Sequence, residues 1–153
     1  MDSKVSIMGI RGRLPFDTAV EHFTSMGGDV ILLNPMYVYC REQILSAVEH
    51  AERAFRNGSN RSKTFLTEVI MYTSGERQVS KALKKMRPAE DSDEVIAVLF
   101  DIDDPHLDCL NVVRDDSILT GTEERAEAMG LSGKGPYESL ALELVAMLDI
   151  EKM

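Results

Sequence analysis

The chain has 153 residues, 44% of them hydrophobic and 28% charged, with a formal net charge of −9. That is the composition of one globular domain able to bury a single core without disulfide or metal staples. Cys40 and Cys109 have neither metal-ligand spacing nor a disulfide-rich setting, which makes a reducing, cytoplasmic location the default. The first residues, MDSKVSIMGIRGR, hold too short an apolar run for a signal peptide, and no window reaches the roughly 20 apolar residues of a membrane span.

In chain order, residues 4–10 alternate around Val5, Ile7 and Met8 and predict a first strand. Residues 15–26 place Phe16, Ala19, Val20 and Phe23 at helical spacing, stopped by Gly27 and Gly28. Residues 29–33, DVILL, are a wholly apolar run that predicts a central strand, and strand, helix and strand together suggest a small crossover unit. Residues 41–57 form a helix with Ile44, Val48, Ala51 and Phe55 facing inward, ended by Asn57–Gly58. A second helix follows, capped by Asn60 or Ser62, with Phe65, Leu66, Val69 and Ile70 inward. Ser74–Gly75 breaks it, and a third helix over 76–86 turns Val79, Ala82, Leu83 and Met86 inward.

Residues 94–100, EVIAVLF, read as the most strongly marked strand, ending at Asp101-Ile-Asp-Asp-Pro. Residues 106–114 fit a helix or an edge strand equally. Residues 120–129 read as a capped short helix, and Pro136 opens a last helix over 137–150. That last helix is apolar most of the way round. With Leu140, Leu144 and Met147 or Leu148 inward, Ala141, Leu142, Val145 and Ile150 are left to be covered, either by the domain's own packing or by a partner. The fold class predicted is α+β: one domain, with a small mixed β-sheet packed by five to six helices.

Charge is unevenly spread. Residues 51–87 hold nine basic residues against three acidic ones, a segment charge of +6, which leaves −15 for the remainder. Arg77, Lys81 and Lys84 recur at i, i+4 and i+7 as a basic stripe, and Arg53, Arg56, Arg61 and Lys63 add to it. A solvated helix face explains a single such stripe. The wider concentration suggests a surface for an anion.

Covalent chemistry has little support. Asp101-Ile-Asp103 after an apolar strand resembles the opening motif of haloacid-dehalogenase-type phosphatases, where one Asp is the nucleophile and the other handles the proton. The strand–helix alternation that such enzymes need does not follow it, and Pro105 stands where Thr or Val is expected. His22, His50 and His106 share no ligand spacing, and the chain has neither a phosphate-binding P-loop nor a G-x-G-x-x-G turn. A non-enzyme without cofactor or metal is the default.

The run from Ile44 to Met86, with SGERQ at Ser74–Gln78 as its most specific piece, resembles the small accessory subunit of the KEOPS complex, the TPRKB-like proteins. AxxHAxRAF at Ala47–Phe55, the Asn60/Lys63 pair, EVIAVLF and the closing ELVAMLD carry the rest of the likeness, over roughly residues 30–150. Met86-Arg87-Pro88 departs from the glycine turn common in that family, and Arg61-Ser62 from its usual small apolar residues. The resemblance implies a subunit without catalytic activity that binds and activates the PRPK-like kinase/ATPase subunit. It also implies a contact with the 3′ CCA end of tRNA, in a complex that makes threonylcarbamoyladenosine. Within the matching stretch the residues suited to tRNA are Asn60, Lys63, Ser74, Gly75, Arg77, Gln78 and Lys81; for the kinase the resemblance points to the last helix, where the apolar pattern singles out Ala141, Leu142, Val145 and Leu148. A protein-only adaptor is the runner-up.

Overall fold

In the computed structural model, residues 4–131 and 135–151 are described. They form an α+β fold with, among the described residues, six α-helices and a four-stranded sheet. The chain divides into two compact units, Met1–Pro35 with Arg87–Leu119, and Met36–Met86 with Thr120–Met153. Neither unit is one continuous stretch of sequence.

The first unit holds the sheet: β1 (Val5–Arg11), β2 (Asp29–Leu33), β3 (Glu94–Phe100) and the two-residue β4 (Val113–Arg114), with helix α1 (Phe16–Thr24). Strand order is β2-β3-β1-β4 and every pairing is antiparallel. The sheet is therefore not mixed, as the sequence suggested. β1 and β2 run the same way on either side of α1, but β3 lies between them in the opposite direction and pairs with both. For the same reason β2 is an edge strand rather than a central one. A continuous apolar run reports burial on both faces and says nothing about the number of strand neighbours.

Register aligns one face of the sheet into a core. Met8 and Leu32 both face Ala97, Ile10 pairs with Val95, and Val30 pairs with Leu99. Ala19 and Phe23 of α1 complete this cluster, both without exposed surface. The segment 106–114 resolves into a 3-10 turn at Leu107–Leu110 followed by β4.

The second unit is helical: α2 (Arg41–Asn57), α3 (Phe65–Ser74), α4 (Val79–Met86), α5 (Glu123–Ala128) and α6 (Tyr137–Glu151). α2 buries Ile44, Ala47, Val48, Ala51 and Ala54 and packs against α3 and α6. Gln43, fully buried on the same face, accepts the Tyr39 N–H at 2.8 Å and donates to the carbonyls of Thr73 (2.9 Å) and Tyr37 (3.2 Å). A buried amide with its partners supplied adds to the helix contacts instead of weakening them. The cap of α3 is Thr64, whose hydroxyl accepts the Thr67 N–H at 3.2 Å, and not Asn60 or Ser62.

α3 ends at Gly75, in the left-handed region at φ 72°, where its N–H closes on the carbonyls of Met71 and Tyr72. A Cβ built there would lie 2.8 Å from Leu144 Cδ2 on α6. Gly75→Ala therefore carries both backbone strain and a clash, together worth about 1–3 kcal/mol. A melting temperature lower by roughly 2–10 °C is expected in thermal unfolding; an unchanged melt would remove the structural role given to this glycine.

Candidate functional site

The loop between α2 and α3 carries Asn60 and Lys63, and its shape is set by one buried carboxylate. Glu68 has no exposed surface. It accepts the backbone N–H of Arg61 (3.0 and 3.1 Å), the backbone N–H of Ser62 (2.8 Å) and the Ser62 hydroxyl (2.7 Å). The Asn60 side-chain amide donates to the Ser62 carbonyl at 2.7 Å, tightening the same turn. Phe55 and Phe65 meet edge to face across the base of the loop, with ring centres 6.3 Å apart. A buried carboxylate is tolerated because donors from the loop satisfy it, and it fixes the loop in return.

The predicted RNA residues separate into two groups. Lys63, Arg77, Gln78 and Lys81 are exposed, and Asn60 is half-buried. Ser74 is buried: its hydroxyl donates to the Met71 carbonyl at 3.0 Å and accepts the Glu76 N–H at 3.1 Å. With Gly75 shaped by the end of α3, the Ser-Gly pair is explained by the turn it makes.

The basic stretch is likewise not all surface. Lys85 reaches Glu76 (3.3 Å) and the Ser74 carbonyl (3.4 Å) and lies over the Tyr37 ring. Arg61 turns inward, and Arg87 stacks on Phe16 in the first unit, 4.0 Å from ring centre to guanidinium carbon. Arg53, Arg56, Lys63, Arg77, Lys81 and Lys84 remain exposed in the helical unit. Leu83, predicted inward on α4, is 42% exposed among them.

The last helix corrects the sequence reading more sharply. Ala141, Val145 and Leu148 are the buried positions, at 0%, 0% and 1% exposure, while Leu142, Met147 and Ile150 are 37%, 48% and 59% exposed. The helix is turned by about one residue, roughly 100°, from the predicted orientation. Of the four predicted kinase contacts, Leu142 alone faces out. The cause lies in residues spaced four apart on one line. Tyr137 packs on Tyr39 (ring centres 5.5 Å apart), Ala141 and Val145 follow, and Asp149 accepts the Tyr72 hydroxyl and pairs with His50. These contacts choose the buried side where apolar periodicity is too weak to do so.

Apolar periodicity alone does not reveal this polar cluster. Tyr72 is held above its ordinary pKa, first by burial and then by its hydrogen bond to Asp149. Arg61 donates to the Leu148 carbonyl at 3.5 Å, and its Nε is buried with no hydrogen-bond partner among the described residues. A histidine at position 50, within an inward-facing stretch of α2, was the one available signal.

Asp101 and Asp103 sit at a strand end and are engaged by Lys4. The Lys4 N–H donates to Asp101 at 3.0 Å, and the Lys4 ammonium to Asp103 at 2.6 Å, which holds the Asp103 carboxyl below its usual range. Asp101 is left-handed at φ 61°. The pair ties the start of β1 to the end of β3. Among the described residues no group of His, Cys, Asp or Glu is arranged to hold a metal ion, and no helix is long and apolar enough to cross a membrane.

No curated protein matches the chain. The family model described as kinase binding protein CGI-121 matches residues 20–129, well over half the sequence, from the middle of α1 through α5. The chain thus belongs to the CGI-121 family of kinase binding proteins.

Proposed function

We propose that the chain is a non-catalytic regulatory subunit of the cytoplasmic KEOPS complex, which makes threonylcarbamoyladenosine in tRNA. In this reading it binds and activates the PRPK-like kinase/ATPase subunit and helps recruit tRNA through its 3′ CCA end, the whole chain working as one domain. The observation that carries the reading is the exposure of three large apolar side chains on α6, Leu142, Met147 and Ile150, in a chain whose family is described as kinase binding. Exposed apolar side chains of this size are what a stable subunit interface covers. Support for the RNA contact is the exposure of Lys63, Arg77, Gln78 and Lys81, with Asn60 half-buried in the loop that carries Lys63. These side chains suit a single-stranded end: cations for phosphates, amides for base edges. The net charge of −9 favours a local, salt-sensitive contact over general nucleic-acid affinity.

The test compares intact tRNA with tRNA lacking its CCA end, alongside capture of the purified kinase subunit. Removing the terminal nucleotides is expected to lower affinity at least about tenfold, since stacking alone is worth roughly 1–3 kcal/mol per base. Equal affinity for the two tRNAs, with the kinase still captured, would reduce the function to that of a protein-only adaptor.

A further inference from the structure

The loop between α2 and α3 and the last turn of α6 meet in one partly buried polar cluster. From the loop side, Glu68 holds the N–H groups of Arg61 and Ser62. Tyr72 follows Glu68 by one helical turn on the same face of α3 and reaches Asp149 of α6. His50 of α2 pairs with the other oxygen of that carboxylate. The Arg61 guanidinium donates to the Leu148 carbonyl at 3.5 Å, and its positive charge opposes the upward shift of the Tyr72 phenol.

Each of these contacts answers a need of the helix end. Leu148 is among the last four residues of α6, whose carbonyls have no partner within the helix. A cation there is favourable, and an anion such as Asp149 is unfavourable unless it is hydrogen-bonded. Arg61 supplies the cation; Tyr72 and His50 supply the hydrogen bonds. The same arginine belongs to the loop whose backbone Glu68 fixes, so the loop and the helix end have one residue in common.

We infer that the last turn of α6, through Asp149 and the Leu148 carbonyl, is a positioning element for the loop that presents Asn60 and Lys63. None of Glu68, Tyr72 and Asp149 needs to touch RNA in this role; they hold the loop from beneath. Loss of the helix end releases Arg61, and with it the turn that places Lys63. The inference rests on the RNA reading for its functional consequence but not for its structural one, and the two are separable by experiment.

The experiment uses the full chain with Asp149→Ala, and with Asp149→Asn, which keeps an oxygen for the Tyr72 hydroxyl. Amide hydrogen exchange is read at Arg61 and Ser62, with β3 as internal reference, and tRNA affinity is measured in parallel. Asp149→Ala is expected to speed exchange at those two amides at least about tenfold with β3 unchanged, and to weaken tRNA binding. Asp149→Asn should recover most of both. Unchanged exchange at Arg61 and Ser62 overturns the inference, as does faster exchange with full tRNA affinity. Faster exchange in a protein whose wild type binds no tRNA upholds the positioning role and instead removes the RNA reading.

Discussion

Replacing Arg77 and Lys81 together by Glu is expected to weaken tRNA binding at low salt by at least about tenfold and to leave the fold intact. Both side chains are exposed, Arg77 just ahead of α4 and Lys81 within it, with Lys84 further along the same stripe. Each cation that meets a phosphate releases counterions, so affinity falls linearly with salt on a logarithmic scale, at about 0.7 per contact for a single strand. Loss of two contacts should flatten that slope by about 1.4, and reversed charge adds repulsion to the loss. Surface substitutions of this type change stability by about 0.5 kcal/mol or less, so melting temperature should hardly move. An unchanged affinity and an unchanged salt slope, in a folded protein, would remove α4 from the RNA surface.

Legibility in the sequence followed the strength of local signals. β2 and β3 have the predicted bounds because each is an apolar run closed by polar or helix-breaking residues. α2 also has its predicted bounds, since Gly58 adopts the left-handed conformation that ends helices. Sheet direction was not legible, because β3 enters between β1 and β2 from more than sixty residues later in the chain. Pairing over that separation leaves no mark on either strand's own pattern.

The candidate surfaces show the same division. The exposed cations of α4 were readable, as charged residues at helical spacing face solvent unless something holds them. Ser74 has a residue type that suits RNA and turn alike, and its hydroxyl is engaged by the turn. Arg61 and Lys85 counted toward a basic surface by composition, yet contacts distant in sequence draw one toward Leu148 and the other over the Tyr37 ring. On α6 the apolar residues run nearly all round, so the facing side is decided by Asp149 and Tyr137, whose partners Tyr72, His50 and Tyr39 lie on other segments.

The rotation of α6 makes the second large prediction a contrast between two residues three apart. Val145 is fully buried, and Val145→Glu places an unpaired carboxylate in the core. That costs several kcal/mol against a total stability of about 5–15 kcal/mol, so the variant should unfold or melt far lower. Leu142 is 37% exposed, and Leu142→Glu should leave the isolated chain folded. In the centre of an interface core the same glutamate would be desolvated without a partner, and a few such central residues carry most of the binding energy. The most direct measurement is capture of the purified PRPK-like kinase subunit by the Leu142→Glu chain, with a thermal melt of the same sample. Expected is a melt close to wild type and a loss of capture of at least about a hundredfold in affinity. Wild-type capture by a folded Leu142→Glu chain, persisting when Ile150→Glu is added, would contradict the assignment of the kinase surface to α6.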